Sequence, residues 1–187
     1  MPTAAHGLVV TSTPSAGRAT RARILFQILL ASARLSIRIS SPYFLPDSSM
    51  LLELSAAVRR GVQVQVIVPG RLNNHPIARR ASRRRYGHLL RAGVQLHEYQ
   101  PAMMHAKIMV VDRVWSVVGS TNFDNRSFGL NDEVNLAVQD PCLAGLLEQA
   151  FENDLASSLV VTEGAWQRRS AWERLLAGAG SLLERHE

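Results

Sequence analysis

The sequence is almost without lysine: twenty arginines stand against a single lysine, Lys107. Generic positive charge is therefore left to guanidinium. The one ammonium marks a place for a compact point charge on a flexible stem, where a wide planar fork would not fit. Cysteine is equally scarce. Cys142 alone excludes an intrachain disulfide framework and permits a reducing compartment, and after Asp140-Pro141 it reads as an ordinary helix-start residue. No apolar run approaches the ~20 residues that span a bilayer. The longest, at Ile24–Ala33, is interrupted by Gln27. The first eighteen residues lack the basic-then-apolar order of a signal peptide. The expectation is a protein that is soluble or lies on a surface. Acidic side chains are outnumbered, 15 against 21 basic ones, and a net charge of +6 with a pI near 10.6 favours a polyanionic partner, nucleic acid or an anionic membrane face. With 47% hydrophobic and 19% charged residues, 187 residues suffice for one globular domain and an appendage.

Hydrophobic periodicity predicts an alternation of helices and strands. Ile24, Leu25, Ile28 and Leu29 repeat at helical spacing, and Leu35, Ile37 and Ile39 then alternate as in a strand. A helix capped by Ser48 or Ser49 should run to Arg60 and stop at Gly61, followed by a strand over Val62–Pro69. The segment from His75 to Gly93 predicts an exposed basic helix, and Val94–Tyr99 another strand. Met104–Val111 and the residues after Asp112-Arg113 predict two short strands joined by a turn. Glu133–Asp140 completes the strands, and a helix follows from Pro141. Such alternation defines an α/β layer architecture, a sheet with helices on its faces. From about Ser158 the pattern loosens into an Arg/Trp/Leu tail containing Trp166, Trp172, Leu175, Leu176, Leu182 and Leu183. The division expected is a domain over 1–157 and an amphipathic tail over 158–187. That tail packs on its own domain or lies as a helix in a membrane interface.

The chemistry concentrates between Met103 and Asn122. On a strand, side chains two apart share a face about 6.6–7 Å from each other, so His105 and Lys107 project together. Asp112 has the opposite parity and falls at the turn, where a carboxylate accepts backbone hydrogen bonds. Gly119, Ser120 and Asn122 add a bare backbone, a hydroxyl and a carboxamide. An imidazole, an ammonium, a hydroxyl and an amide, with no second carboxylate or cysteine at ligand spacing, suit an anionic substrate handled without a metal. Phosphoryl chemistry is accelerated chiefly by positioning and by charge stabilisation around the non-reacting oxygens, and histidine can attack phosphorus to hold a covalent intermediate.

His105-x-Lys107-x4-Asp112-x6-Gly119-Ser120-x-Asn122 resembles the signature of the phospholipase D superfamily at every specified position. The further segments "SPYFLPD", "RGVQVQVIVPG", "NNHPIARRASRRRYGHLLRAGVQLHEYQPAMMHAK" and "GSTNFDNRSFGLNDEVNLAV" resemble the second half of bacterial cardiolipin synthases, over roughly Leu8 to Ser157. The resemblance implies a phospholipase D-like domain, a mixed β-sheet flanked by helices on both faces. It also implies catalytic roles for His105, Lys107, Ser120, Asn122, Glu133 and Asp112, with no metal and no cofactor. Lys107 and Asn122 would hold the phosphate oxygens with Ser120 assisting. Glu133 would accept a hydrogen bond from His105 and fix its tautomer. Tyr43 and Phe44 would either line the entrance or sit in the core as packing aromatics.

The implied reaction moves a phosphatidyl group from one phosphatidylglycerol to the hydroxyl of another lipid, giving cardiolipin and glycerol through phosphohistidine. It needs two histidines, and this sequence supplies one. The second would come from a first half carrying its own motif, or from a second copy about a two-fold axis. His105 would be the acid/base in the first case and the nucleophile in the second. The implied partners are an anionic phospholipid, a membrane surface and that second half, with nucleic acid disfavoured. Arg79, Arg80, Arg83, Arg84 and Arg85 would draw the chain to the cytoplasmic side of the bacterial inner membrane, peripherally, at about 1 kcal/mol per residue near the surface. Two rival readings are a dimeric endonuclease or phosphodiesterase, and an inactive half that binds lipid or a partner chain.

Overall fold

The structure, a computed structural model, describes residues 5–14, 20–73 and 76–168, with the side chains of 76–81 and 84 set aside. The elements in chain order are β1 (His6–Ser12), α1 (Arg21–Ser32), β2 (Ser36–Ser40), β3 (Phe44–Leu45), α2 (Ser48–Arg59), β4 (Gln63–Pro69), α3 (Pro76–Arg91) and β5 (Gln95–Tyr99). They continue with β6 (Ile108–Val111), β7 (Trp115–Gly119), β8 (Phe123–Asp124), α4 (Asn125–Gly129), β9 (Glu133–Gln139), α5 (Pro141–Ala156), β10 (Ser158–Val161) and α6 (Glu163–Gln167). One eight-stranded sheet runs in the order β1-β9-β7-β6-β2-β4-β5-β10. Its β2, β4 and β5 are parallel and the remaining neighbours antiparallel, which gives the mixed α/β sheet expected.

The two faces of the sheet differ because the strand sequences alternate. Ile37 and Ile39 of β2, Val64, Val66 and Val68 of β4, Leu96, Met109, Val117 and Ala137 all enter the main core. There they meet α1, α2 and α3 through Phe26, Leu30, Leu54 and Leu89. Their sequence neighbours Arg38, Gln65, His97 and Ser116 fall on the other face, as the two-residue period requires. α5 crosses that second face over β2, β5, β6 and β7. Its Phe151 forms a small second core with Ile67 and Met104, and lies under the Arg38 guanidinium, 5.9 Å from ring centre to carbon.

Several boundaries differ from the sequence expectation. α2 is capped by Asp47 rather than by Ser48 or Ser49: the carboxylate accepts from the amides of Ser49 (3.0 Å) and Met50 (3.1 Å) and also receives Arg23. α3 is not exposed all round, since Tyr86 and Leu89 are buried. The domain does not stop at 157. β10 pairs with β5, and Trp166 of α6 is buried against Tyr86, ring centres 5.4 Å apart. Trp166 is therefore a core residue, while the rest of the tail, including Trp172, Leu175, Leu176, Leu182 and Leu183, lies outside the described residues. Of the basic run, Arg83 is committed to Glu98 at 2.9 Å and Arg85 is exposed. The side chains of Arg79, Arg80 and Arg84 lie outside the description.

Asp112 and Arg113, both with positive φ (55° and 59°), are the central pair of the three-residue turn between β6 and β7, which Val114 closes by donating its amide to the Val111 carbonyl at 3.1 Å. The Asp112 carboxylate accepts from the amides of Arg34 (2.9 Å), Leu35 (2.7 Å) and Ser36 (2.9 Å), stitching this turn to the start of β2. It sits at the far end of β6 from Lys107, about 17 Å along the strand. Its work is therefore structural, and it takes no direct part at the His105 end despite its place in the motif.

Candidate active site

The functional side chains collect at the end of the sheet where β2, β4 and β5 finish. In an open sheet of this kind, the carboxyl ends of parallel strands are where connecting loops leave room for a ligand. His105 and Lys107 come from the segment between β5 and β6. The strand expected over Met104–Val111 begins only at Ile108, so both residues stand just outside the ladder. The Gly119 amide still bonds the Lys107 carbonyl at 3.3 Å, anchoring the end of the segment. Gly119 is required there for space: a Cβ would lie 2.3 Å from the carbonyl oxygen of Val134.

A short parallel pairing, Phe44 with Phe123 and Leu45 with Asp124, brings the Tyr43 loop beside the Asn122 loop. Beneath it Phe26, Phe44, Phe123 and Phe128 pack together with ring centres 5.0–5.8 Å apart. Phe44 is thus core, not entrance. Tyr43 is half-buried and presents its ring edge-to-face with His105, centres 6.3 Å apart. Ser41 ties the two loops together, donating to the Tyr43 carbonyl (2.8 Å) and accepting from the Phe123 amide (3.1 Å).

His105 is exposed, and the Lys107 Nζ donates to its main-chain carbonyl at 3.1 Å. Partial desolvation of the otherwise exposed ring, then the neighbouring Lys107 charge, lowers the imidazole pKa from its ordinary value and favours the neutral form. Burial also lowers the Lys107 amine, against which the carboxylates of Glu133 and Asp124 hold its proton. A neutral imidazole beside an ammonium can attack or deprotonate while the cation holds an anionic group.

Glu133 departs from its expected role. It is buried at the start of β9, where it accepts from the Ser120 hydroxyl and, at 3.4 Å, from Asn131. Among the described residues its hydrogen bonds come from these two and not from His105, because β9 pairs with β7 and sets Glu133 beside Ser120. Its charge acts on Lys107 instead. Ser120 also accepts from the Val134 amide (3.0 Å), so both its partners lie on β9. Asn122 donates to Ser127 at 3.2 Å, while its Oδ1 is buried without a partner. Asp124 was not singled out in the sequence, where it looks like a turn residue. It caps α4 through the Ser127 amide (2.8 Å), and burial, opposed by that bond and reinforced by Glu133, pushes its carboxyl pKa up. Among the described residues no three His, Cys, Asp or Glu side chains gather as a metal cluster.

Residues 26–155 match the family model described as "Cardiolipin synthase, PLD-like domain". The chain is 38% identical over 155 residues to a cardiolipin synthase of Staphylococcus aureus, and 37% identical over 155 residues to cardiolipin synthase 2 of Staphylococcus epidermidis. These matches cover 83% of this chain but only 31% and 32% of those relatives, so it spans about a third of their length. Among solved structures, the fold matches Nuc of Salmonella typhimurium, a phospholipase D family member, with a TM-score of 0.71 at 23% identity. That match covers 85% of this chain and 99% of the other. It also matches phosphatidylserine synthase of Haemophilus influenzae, TM-score 0.74 at 14% identity, over 99% of this chain and 47% of the other. A family match over most of the chain, with the motif residues gathered at one end of the sheet, places this protein in the cardiolipin synthase-like branch of the phospholipase D superfamily.

Proposed function

We propose that this chain supplies one half of a phosphatidyltransferase centre that moves a phosphatidyl group between phospholipids, with phosphatidylglycerol as donor and cardiolipin and glycerol as products. The observation that carries the reading is the exposed His105 ring, edge-to-face with Tyr43, with the Lys107 amine folded onto the His105 carbonyl beside it. In the first step an imidazole nitrogen attacks phosphorus. The bond to the departing glycerol oxygen breaks, and a second imidazole gives that oxygen its proton. In the second step the same second imidazole takes the proton of an acceptor lipid hydroxyl, which attacks phosphorus and releases the first histidine. Lys107 and Asn122 bind the non-bridging oxygens, where charge builds up in the transition state. Ser120 holds Glu133, which keeps Lys107 protonated despite its burial.

One chain brings one such histidine, so the centre is complete only with another domain of the same kind. The reading also places the chain peripherally on the cytoplasmic leaflet. Net positive charge supports this placement, and among the described residues no helix is long and apolar enough to cross a membrane.

Incubation with phosphatidylglycerol vesicles, with lipid products followed by mass spectrometry, tests the reading. Cardiolipin and glycerol should form with wild type and not with His105→Ala. A plasmid-cleavage assay on the same preparation provides the comparison, since the basic charge also suits DNA. DNA cutting without lipid turnover replaces the transferase with the phosphodiesterase reading. Vesicle binding that survives His105→Ala with no turnover in any variant replaces it with a binding half.

A further inference from the structure

Between α5 and the first half of β2, the second face of the sheet frames a cavity of about 370 Å³. It lies towards the end of the sheet opposite His105, since its lining includes Ser36, which opens β2, and Arg113 of the β6–β7 turn. The floor is polar because Ser36, Arg38 and Gln63 share one side of the two-residue period, with Ser36 in register with Gln63. The roof is polar too: Gly145, Glu148, Gln149 and Glu152 of α5 follow the i, i+3, i+4, i+7 spacing of a single helix face. A volume of this size stands at the small end of ligand sites.

The charges around this cavity are balanced in number but not bond for bond. Glu148 is buried and receives Arg113 at 2.6 Å. Arg38 is held in place, its side chain 12% exposed, with Phe151 beneath the guanidinium and the Gln63 Oε1 accepting from Nη2 at 3.0 Å. Yet its Nε and Nη1 have no hydrogen-bond partner among the described residues. The Glu152 carboxylate stands 3.8 Å from Nε, beyond hydrogen-bond reach, and its side chain is 49% exposed. A guanidinium so far out of water costs free energy unless acceptors meet its N–H groups. An oxyanion supplies several acceptors at once to such a planar cation. Glu152 then calls for a donor on the same ligand, because a bare anion would meet its negative charge.

We infer that this cavity binds a small hydroxylated oxyanion, a phosphomonoester or a carboxylate, with its anionic group on Arg38 and its hydroxyl groups towards Glu152 and Gln149. The site is independent of the proposed function, since it shares no residue with the His105 end.

Isothermal titration calorimetry of the full chain tests the inference, with sn-glycerol 3-phosphate, D-glycerate, inorganic phosphate and glycerol as separate probes. Glycerol 3-phosphate or glycerate should bind at least tenfold more tightly than phosphate, and glycerol alone should give no heat. The tighter of the two hydroxylated probes assigns the anionic group as phosphate or carboxylate. Arg38→Met keeps an unbranched stem, removes the charge, and should weaken binding at least tenfold. Glu152→Ala should bring the hydroxylated probe and phosphate to equal affinity. Should Arg38→Met fail to fold, Gly145→Leu takes its place: a Cβ at Gly145 meets nothing within 4 Å, so the helix accepts the residue while its side chain occludes the cavity. Binding should persist in Lys107→Gln, which removes the cation at the His105 end. Absence of binding by every probe, binding unchanged in both Arg38→Met and Gly145→Leu, or binding lost in Lys107→Gln overturns the inference. Phosphate bound by the wild type as tightly as the hydroxylated probes overturns it too, since Glu152 and Gln149 would then have no part in recognition.

Discussion

The Lys107 Nζ lies 3.1 Å from the carbonyl oxygen of His105, so the only ammonium side chain in the protein is folded back onto the residue whose imidazole it accompanies. The amine is half-buried with Glu133 and Asp124 acting on it. Arginine there would need room for a planar fork and partners for five N–H groups. Lys107→Arg should fold normally and lose about 10²–10³ in turnover, the scale of removing one positioned donor from a developing oxyanion. Wild-type rates in this variant would remove the special role of the ammonium.

His105 should titrate below its ordinary value near 6.5, because burial and the Lys107 charge both disfavour the imidazolium. The sign follows directly: the neutral, nucleophilic form persists as pH falls through 6.5 and is lost only below it. Lys107→Gln should move the midpoint upward. Proton NMR of the His105 ring reports both values, and a wild-type midpoint above 6.5 would contradict the assigned surroundings.

Ser41 is buried and joins the carbonyl of Tyr43 to the amide of Phe123. Ser41→Ala leaves both groups without that partner, which costs about 1–3 kcal/mol per unsatisfied buried group. Urea unfolding should show the loss of stability, and turnover should fall with it because the Tyr43 and Asn122 loops separate. Unchanged stability and turnover would mean that the pairing of β3 with β8 holds these loops alone.

Asp112→Ala should destabilise the fold by about 1–3 kcal/mol, since three backbone amides lose a charged acceptor. Turnover per folded molecule and its pH profile should stay as in wild type. A displaced pH profile would bring Asp112 into the chemistry, against its position at the far end of β6.

Much of the site was legible because a motif fixes residue types at spacings that the sheet then folds together. His105, Lys107, Ser120, Asn122 and Glu133 come from three segments, and the pairings β6–β7 and β7–β9 bring them to one end. The α/β alternation was legible for the same reason, since Ile37, Ile39, Val64 and Val66 keep a strict two-residue period. β1 escaped notice because His6–Val9 are exposed and give no alternation. β10 escaped because Leu159 and Val160 are both exposed on an edge strand, so its sequence resembles a tail. Asp47 and Asp124 stand outside every periodic pattern of the sequence, and only the structure shows one capping α2 and the other capping α4 within reach of the Lys107 charge. The partner of Glu133 depended on the β7–β9 register, which local pattern does not specify.

The central claim is that two imidazoles from two domains act on one phosphodiester, and mixing experiments address it most directly. Wild type and His105→Ala are combined at fixed total concentration, allowed to exchange, and assayed for cardiolipin formation. If each centre needs His105 from both copies, activity follows the square of the wild-type fraction and falls to about a quarter in an equal mixture. Activity falling in simple proportion to the wild-type fraction would show that each chain acts alone, and would contradict the account.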